Sequence, residues 1–208
     1  SVILQPDHWK YNHHGEVPVD ENSDEWKNVA ERFYATLDIS RYKIRKIERV
    51  QRLNLYKLFH CQISAVKEIR GRDPERKLLF HGTGETDPKR ILNHHAGFSR
   101  NFASPGRWGV GTYFAENASY SNYYSFKNDR LERQLILVDV IVGDSVHIDH
   151  NNPDAAKLRE TPVKLTDGTH YDSVEGFIDN SKIYVTYTDC RQFPTHVITY
   201  VDNAEAHQ

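Results

Sequence analysis

The clearest apolar run in the chain does most to limit its fold. Between Leu135 and Val142 only Asp139 is polar, and the residues around it are Leu, Ile and Val. A run of this length and composition, followed by Gly143, is typical of a buried β-strand. The fold is therefore expected to contain a sheet, for which the rest of the chain must supply further strands.

Other segments predict several more strands and only a few helices. Runs rich in β-branched and aromatic residues predict strands at 42–51, 77–80, 112–115, 182–189 and 195–202. Helical spacing of apolar residues predicts helices at 23–37, 53–69, 87–95 and 116–126. Ser23 suits an N-cap and Pro88 suits a first helical turn. Because strands and helices do not alternate regularly, and residues 144–171 look irregular, the pattern predicts an α+β fold.

The length of 208 residues fits a single domain, residues 1–208, with residues 1–22 as an N-terminal extension. The extension is polar and rich in histidine. Its aromatic residues Trp9 and Tyr11 are candidates to anchor it on the domain. The chain contains no Met, from which we expect a processed piece of a longer protein.

Composition disfavours several classes of function. There are 27 Lys and Arg against 29 Asp and Glu, a net charge of −2 that gives no general attraction to nucleic acid or membrane. A local basic segment at 41–52 (RYKIRKIERVQR) leaves transfer to nucleic-acid ends open as a third hypothesis. No apolar run reaches the ~20 residues that span a bilayer. The two cysteines, Cys61 and Cys190, form no CxxC and are expected to be free thiols in the cytoplasm or nucleus.

Familiar nucleotide-binding and nucleophile motifs are missing from the sequence. The segment GVGTYF, residues 109–114, lacks a third glycine and is followed by a predicted strand rather than a helix. There is no GxxxxGK[ST] phosphate loop and no GxSxG nucleophile elbow. His8, His13 and His14 have no partners at ligand spacing, so no metal site is predicted.

What remains is a set of polar residues at the ends of strands and on one short helix. His81 ends the predicted strand 77–80 and is followed at once by Gly82. Tyr113 lies in the strand 112–115. Ser121 and Tyr124 are three residues apart and therefore share one face of a helix.

Five segments that carry these residues follow one another in the order LLFHGT, AGFSRNFA, WGVGTYFAENASYS, YDSVEGFIDNSKIYVTYTD and FPTHVITY. Together they resemble the catalytic domain of the poly(ADP-ribose) polymerase superfamily, the diphtheria-toxin-like ADP-ribosyltransferases. The lead-in DHWKY…KIERVQRLNLYKLFHCQ resembles the mono-ADP-ribosylating branch. The resemblance covers nearly the whole chain. It implies the ADP-ribosyltransferase fold: a split antiparallel sheet with flanking short helices, and no helical regulatory subdomain.

The resemblance also implies NAD+ as co-substrate, no metal, and roles for residues around the nicotinamide. Gly82 would offer its backbone N–H and C=O to the carboxamide, with Thr83 in the same turn. A side chain at 82 would block that approach, which gives a reason for glycine. The hydroxyl of Ser121 would complete the contacts to the carboxamide, and Tyr113 and Tyr124 would stack on the ring.

Two further residues are assigned to the adenosine side by the resemblance. His81 would hydrogen-bond a hydroxyl of the adenosine-side ribose. Arg100 lies in the loop that would cover the adenine end, and its guanidinium suits phosphate oxygens. The same loop departs from the family pattern at Trp108, where tyrosine is common, and at Val110, where a basic residue is usual.

Ile183 stands where polymerising members carry a glutamate, and it completes a His81, Tyr113, Ile183 catalytic set. An alkyl side chain cannot act as a base toward the hydroxyl of an existing ADP-ribose, so chain elongation should be slow. The sequence therefore predicts mono-ADP-ribosylation of proteins. Glu or Asp acceptors are favoured because carboxylates are already ionised, and automodification is a possible outcome.

Two points stay open at the level of sequence. Asp172 and Glu175 are nearby carboxylates that could replace the missing base, but the better interpretation is that Asp172 caps or turns the chain and Glu175 is solvated. The main alternative function is a catalytically weak or inactive module of the same fold that binds NAD or ADP-ribose. The presence of His81, Gly82 and Tyr113 favours the enzyme.

Overall fold

A computed structural model describes residues 3–10 and 13–205, and an eleven-stranded sheet forms its centre. The strands are β1 (Gly15–Pro18), β2 (Tyr42–Gln51), β3 (Arg76–His81), β4 (Ser104–Gly106), β5 (Gly109–Ala115), β6 (Phe126–Lys127), β7 (Arg133–Ile141), β8 (Ser145–His147), β9 (Ser173–Ile178), β10 (Ser181–Thr186) and β11 (Gln192–Asp202). Their order is β1-β2-β11-β7-β3-β5-β10-β9-β8, with β4 on β5 and β6 on β7. Among these strands only β8 and β9 pair in parallel. The α+β class predicted from the sequence is confirmed.

Four α-helices accompany the described strands. They are α1 (Asp24–Tyr34), α2 (Leu53–Arg70), α3 (Pro88–Leu92) and α4 (Ala118–Asn122), and 3₁₀ turns occur at Arg100–Phe102 and Ala155–Lys157. The Ser23 hydroxyl accepts a hydrogen bond from the Trp26 N–H at 3.1 Å, so Ser23 is the N-cap predicted for α1. Pro88 begins α3, where its missing N–H costs no helical hydrogen bond.

The sheet is split near its middle, between β3 and β5. Six residue pairs join β3 to β7 and four join β10 to β5, but β3 and β5 share a single pair, Phe80 with Ala115. Beyond that pair the two strands diverge and leave a cleft. The split that the resemblance implies is therefore present, and it positions the candidate site.

The N-terminal extension packs against the domain through Trp9. This residue is buried, with its ring stacked on Phe193 at 6.1 Å and edge-on to Tyr56 of α2 at 5.4 Å. The buried Gln51 side chain accepts from the Lys10 N–H at 2.9 Å and holds the segment beside β2. The other proposed anchor, Tyr11, lies outside the described residues.

Most of the basic segment 41–52 is neutralised within the fold. Four of its cations form ion pairs with neighbouring carboxylates: Arg41 with Asp202, Lys46 with Glu48, Arg49 with Glu25, and Arg52 with Glu16. The segment therefore offers little uncompensated charge to nucleic acid. Within residues 3–10 and 13–205, no helix combines the length and the apolar character that a membrane crossing needs.

Candidate active site

A cavity of about 440 Å³ opens at the split between β3 and β5. The β4–β5 hairpin and α4 form its walls. It is lined by six of the eight predicted site residues: His81, Gly82, Thr83, Tyr113, Ser121 and Tyr124. The other two, Arg100 and Ile183, lie elsewhere and are described below.

His81 bridges the two strands at the point where they diverge. Its Nδ1 lies 2.7 Å from the carbonyl oxygen of Tyr113. Because a carbonyl oxygen can only accept, Nδ1 carries the hydrogen of the neutral ring and donates it. Nε2 is then left with a lone pair, which makes this end of the ring an acceptor for a ligand hydroxyl.

The surroundings of His81 keep its imidazole uncharged. The rings of Phe98 and Phe114 lie 5.1 and 5.3 Å away, centre to centre. Burial lowers the pKa of His81 to about 4, and the hydrogen bond to the Tyr113 carbonyl offsets only part of that effect. At neutral pH the ring is therefore neutral, in the tautomer that accepts at Nε2.

Gly82 lies directly against the backbone of the segment that ends α4. A Cβ built at this position would lie 2.5 Å from the carbonyl oxygen of Tyr124 and 2.6 Å from that of Ser121. The N–H of Gly84 donates to the same Tyr124 oxygen at 2.7 Å, and the Thr83 hydroxyl donates to the carbonyl of Thr86. Close contact between turn and helix thus already requires glycine at 82, a reason different from the ligand approach inferred from the sequence.

Ser121 is buried beside this turn. Its hydroxyl donates to the carbonyl oxygen of Phe80 at 3.1 Å. That hydrogen bond leaves the oxygen lone pairs to accept an amide N–H from a ligand. The helix therefore presents Ser121 to the cavity in a defined orientation.

Tyr113 is attached to the β4–β5 hairpin through its hydroxyl. The oxygen accepts from the Trp108 N–H at 3.0 Å and donates to the Gly109 carbonyl at 2.7 Å. Burial raises the pKa of Tyr113 to about 12, so the phenol stays protonated. A Cβ on Gly106 would come within 2.6 Å of the phenol, which places the hairpin directly over the ring.

Tyr120 also lines the cavity, although it is not among the site residues predicted from the sequence. Its ring lies 5.6 Å from that of Tyr124, which stands in the turn just after α4. Burial, followed by the neighbouring Tyr124, raises the pKa of the Tyr120 phenol. The i, i+4 relation to Tyr124 was the signal in the sequence that could have identified it.

Ile183 is fully buried and does not line the cavity. It pairs with Ala115 across β10 and β5, inside an apolar cluster that includes Trp108, Val174 and Val185. Tyr113, Tyr120 and Ile178 pack against the same cluster and line the cavity. The third position of the predicted catalytic set is thus an alkyl side chain that does not reach the cavity surface.

Arg100 does not line the cavity. Its guanidinium donates to the Arg159 carbonyl at 3.3 Å, and its backbone N–H donates to Asp189 at 2.7 Å. Arg107, in the β4–β5 turn, lines the cavity instead. No local pattern favours Arg107 over Arg100, because which arginine lines the cavity depends on how the hairpin folds back.

Neither alternative carboxylate lines the cavity. Asp172 is buried between Arg70 and Arg191, each at 3.1 Å, and accepts from the Asp144 N–H at 2.8 Å. Asp172 therefore has the structural role that the sequence predicted, since it holds separate segments of the chain together. Glu175 pairs with Lys182 at 2.7 Å and is half-buried, so the prediction that it is solvated was wrong. Among the residues that the structure describes, no three His, Cys, Asp or Glu side chains form a metal-binding group.

Comparison with known proteins decides the family. The model of the poly(ADP-ribose) polymerase catalytic domain matches residues 23–200. The chain belongs to this family. Its relatives include a probable poly [ADP-ribose] polymerase of Dictyostelium discoideum, 31% identical over 88% of this chain and 52% of that protein.

Other members of the poly(ADP-ribose) polymerase family point to one branch. Mouse protein mono-ADP-ribosyltransferase PARP10 is 29% identical over 87% of this chain and 19% of its own length. Human protein mono-ADP-ribosyltransferase PARP14 is 28% identical over 96% of this chain and 11% of its own length. The chain spans about half or less of these relatives. The resemblance to the family, and to its mono-ADP-ribosylating branch, is confirmed.

The two departures from the usual family pattern have different surroundings. Trp108 is buried, donates from its ring N–H to the Ile148 carbonyl at 2.9 Å, and lines the cavity. Val110 donates from its backbone N–H to the Leu158 carbonyl at 3.0 Å and does not line it. Of these two residues of the poly(ADP-ribose) polymerase domain, Trp108 can contact a ligand in the cavity directly and Val110 cannot.

Proposed function

We propose that this domain transfers a single ADP-ribose unit from NAD+ to a protein side chain and releases nicotinamide. Glu and Asp carboxylates are the favoured acceptors. The family of the chain supports the use of NAD+, and the names of the relatives PARP10 and PARP14 support the mono type. The residues of the cavity support each step of the chemistry.

The charges of the cavity match those of NAD+. Among the described lining residues, only Arg107 and Asp179 carry a formal charge at neutral pH, since His81 is neutral. Arg107 lies just before β5, and Asp179 lies in the β9–β10 turn beyond the other end of β5. The seven residues of that strand span roughly 20 Å. A cation for the pyrophosphate and an anion near the cationic nicotinamide suit a dinucleotide lying along the cleft.

The polar residues then have defined tasks. The carboxamide would bind the backbone of Gly82 and the hydroxyl of Ser121, while the nicotinamide ring would lie between Tyr113 and Tyr124. His81 Nε2 would accept a hydrogen bond from a ribose hydroxyl. These groups bind and orient the dinucleotide, and a preorganised polar surround favours the charge that develops on the ribose.

The transfer needs no proton from the enzyme. The bond between the ribose anomeric carbon and the nicotinamide nitrogen breaks, and its electron pair leaves with neutral nicotinamide. A carboxylate oxygen of the acceptor forms the new bond to that carbon. A carboxylate is ionised well below neutral pH and can attack without a base.

The observation that carries the mono assignment is the fully buried Ile183. Elongation would require a ribose hydroxyl to lose a proton as it attacks, and a buried alkyl side chain offers no base for that proton. Asp172 and Glu175, the carboxylates considered from the sequence, are engaged in ion pairs away from the cavity. Asp179 lines the cavity, but it lies in the β9–β10 turn and not at the position that Ile183 occupies in β10.

Incubation with NAD+, followed by mass spectrometry of the automodified chain and of added acceptor proteins, tests the function. We expect adducts of one ADP-ribose unit on Glu or Asp, which neutral hydroxylamine should release because they are esters. The His81→Ala variant is the control and should lose most adducts. Long polymer ladders on a gel would contradict the inference from Ile183.

One observation favours the second candidate, an NAD- or ADP-ribose-binding module with little turnover. The β4–β5 hairpin lies directly over Tyr113, one of the rings proposed to contact nicotinamide. Thermal unfolding with millimolar NAD+ separates binding from chemistry, since a ligand of the folded state raises the melting temperature. A shift without nicotinamide release would support the module, and nicotinamide release would support the enzyme.

A further inference from the structure

Asp179 is the one anionic residue among the described residues that line the cavity. It occupies the first position of the two-residue turn between β9 and β10, where Ile178 pairs with Ser181. The turn residues Asp179 and Asn180 have φ of 48° and 59°. Asp and Asn tolerate this left-handed backbone better than most residues, and paired left-handed residues are typical of a tight hairpin. The carboxylate is therefore presented on a short, well-defined turn.

The Asp179 carboxylate has no cationic partner among the described residues. None of their Lys, Arg or His side chains lies within ion-pair distance of it, and the nearby Lys182 is paired with Glu175 at 2.7 Å. Its neighbours along the cavity are Tyr120 and Ile178. Burial, followed by the neighbouring Tyr124, raises the pKa of the Tyr120 phenol, and the charge of Asp179 adds to this effect.

The rim formed by α4 and the β9–β10 turn lies beside the nicotinamide end of the cleft. Gly82, Ser121 and Tyr124 line that end, and Asn117, just before α4, donates from its side-chain amide to the Asn180 carbonyl at 3.0 Å. An acceptor that reaches the anomeric carbon across this rim passes Asp179. A carboxylate acceptor alone would be repelled there, whereas one accompanied by a cation would not.

We propose that Asp179 selects acceptor sites in which a Lys or Arg stands next to the modified Glu or Asp. This inference rests on the proposed function. The Asp179 carboxylate would pair with the flanking cation while the neighbouring carboxylate of the acceptor reaches the anomeric carbon. Because the pair is formed at an exposed rim, its effect should be modest and should weaken as salt is added.

Competition between two peptides in one reaction tests the proposal. Both carry a single central Glu, flanked by Lys and Arg in one and by Gln in the other, and labelled NAD+ reports the transfer to each. The wild-type domain should prefer the basic peptide by roughly fivefold in kcat/KM. The Asp179→Asn variant should show a ratio near one. Since the ratio is taken within one variant, any change in NAD+ binding cancels.

A charge-preserving swap provides the matched control. The double variant Asp179→Asn with Asn180→Asp keeps the net charge and the Asp/Asn composition of the turn, but it moves the carboxylate to a position that does not line the cavity. Loss of the preference in the swap supports selection by the carboxylate at 179. Retention of the preference in the swap would mean that net charge alone is responsible, and the proposal would be wrong.

Other outcomes also decide the matter. The role of Asp179 is overturned if the wild-type domain shows no preference between the peptides, or if Asp179→Asn shows the same preference. In either case labelled peptides would still support the proposed function. Mass-spectrometric mapping of the modified residues that places ADP-ribose on Asp179 itself would make this residue an acceptor, and the proposal would be wrong. If the domain neither labels peptides nor releases nicotinamide, the proposed function fails, and the role of Asp179 falls with it.

Discussion

His81 shows how neighbours give one side chain its chemistry. The imidazole donates through Nδ1 because the Tyr113 carbonyl faces it, and it stays neutral because two phenylalanine rings surround it. A histidine that ends a strand is commonly structural. Here the same contact that closes the split between β3 and β5 also directs an acceptor nitrogen at the cavity.

Protonation of His81 should lower stability in a defined pH range. The pKa of its imidazole is about 4 in the folded chain and 6.5 in the unfolded chain, so between these values the unfolded state holds a proton that the folded state lacks. The free energy of unfolding should therefore fall as pH drops from 6.5 toward 4, by at most about 1.4 kcal/mol per pH unit from this group. Urea unfolding at several pH values measures this dependence, and the free energy of unfolding of His81→Gln should change less steeply with pH than that of the wild-type domain. Equal slopes in the two proteins would contradict the assignment.

Substitution of Gly82 should cause a steric clash, an effect that a control glycine can separate from the backbone cost of placing alanine at a positive φ. In Gly82→Ala the new methyl group would meet two carbonyl oxygens of the α4 segment, so the turn must move and NAD+ should no longer raise the melting temperature. Gly168→Ala is the matched control, because position 168 does not line the cavity, has open space and carries only the cost of φ +73°, about 1 kcal/mol. An NAD+ shift that survives in Gly82→Ala but is lost in Gly168→Ala would refute this.

At the residue scale, the sequence predicted site residues that belong to a recognisable motif. It missed residues that line the cavity only because of the tertiary fold. Gly82, Ser121 and Tyr124 were found because they stand in segments that resemble a family. Arg107 and Tyr120 face the cavity only because of how the β4–β5 hairpin and α4 sit, which no local pattern encodes. For the same reason Arg100, in the same loop as Arg107, was predicted to be a site residue but does not line the cavity.

At the scale of elements, the long strands were predictable and the short ones were not. β7 and β11 carry enough apolar residues to be recognised alone. β4, β6 and β8 have three residues or fewer and form because a longer strand offers them an edge with unpaired backbone groups. α3 and α4 are shorter than predicted. Each helix ends in a turn, where the backbone N–H of the C-cap residue donates to carbonyl oxygens of the last helical residues.

The contact between the N-terminal segment and α2 should contribute measurably to stability. Trp9→Ala would remove a buried ring from its stack on Phe193 and its edge contact with Tyr56, at a cost of about 3 kcal/mol. Leu4→Ala in the same segment is the control, because Leu4 is 74% exposed and should cost almost nothing. Urea denaturation measures both. Equal stability of the two variants would show that the segment does not support the domain.

At the scale of the molecule, a buried carboxylate joins three distant parts of the chain. Asp172, just before β9, binds Arg70 at the end of α2 and Arg191 just before β11, and it also accepts from the Asp144 N–H. The long segment 144–172, whose regular structure consists of the short β8, one 3₁₀ turn and an isolated β-bridge, is thereby closed at both ends. Its conformation depends on these distant partners, which explains why local sequence gave little information about it.

Removal of that charge should destabilise the whole domain. Asp172→Asn leaves two largely buried guanidinium groups without their shared carboxylate, and we expect a loss of about 3 kcal/mol in the free energy of unfolding. Asp154→Asn breaks the exposed pair with Lys157 and should cause no measurable change. Chemical denaturation compares them. A neutral effect of Asp172→Asn would mean that the arginines are satisfied by other partners.

The single residue pair between β3 and β5 has a consequence for protein engineering. Residues 104–115 and 145–186 build one half of the sheet, and the remaining strands build the other. Phe80 and Ala115 are the one backbone pair that must keep its register where β3 and β5 meet. A chimera that takes both segments from a relative would exchange one wall of the cleft, provided that it also keeps the ion pairs of Asp172 with Arg70 and Arg191 and the packing of Phe114 and Tyr184 in one cluster with Leu79.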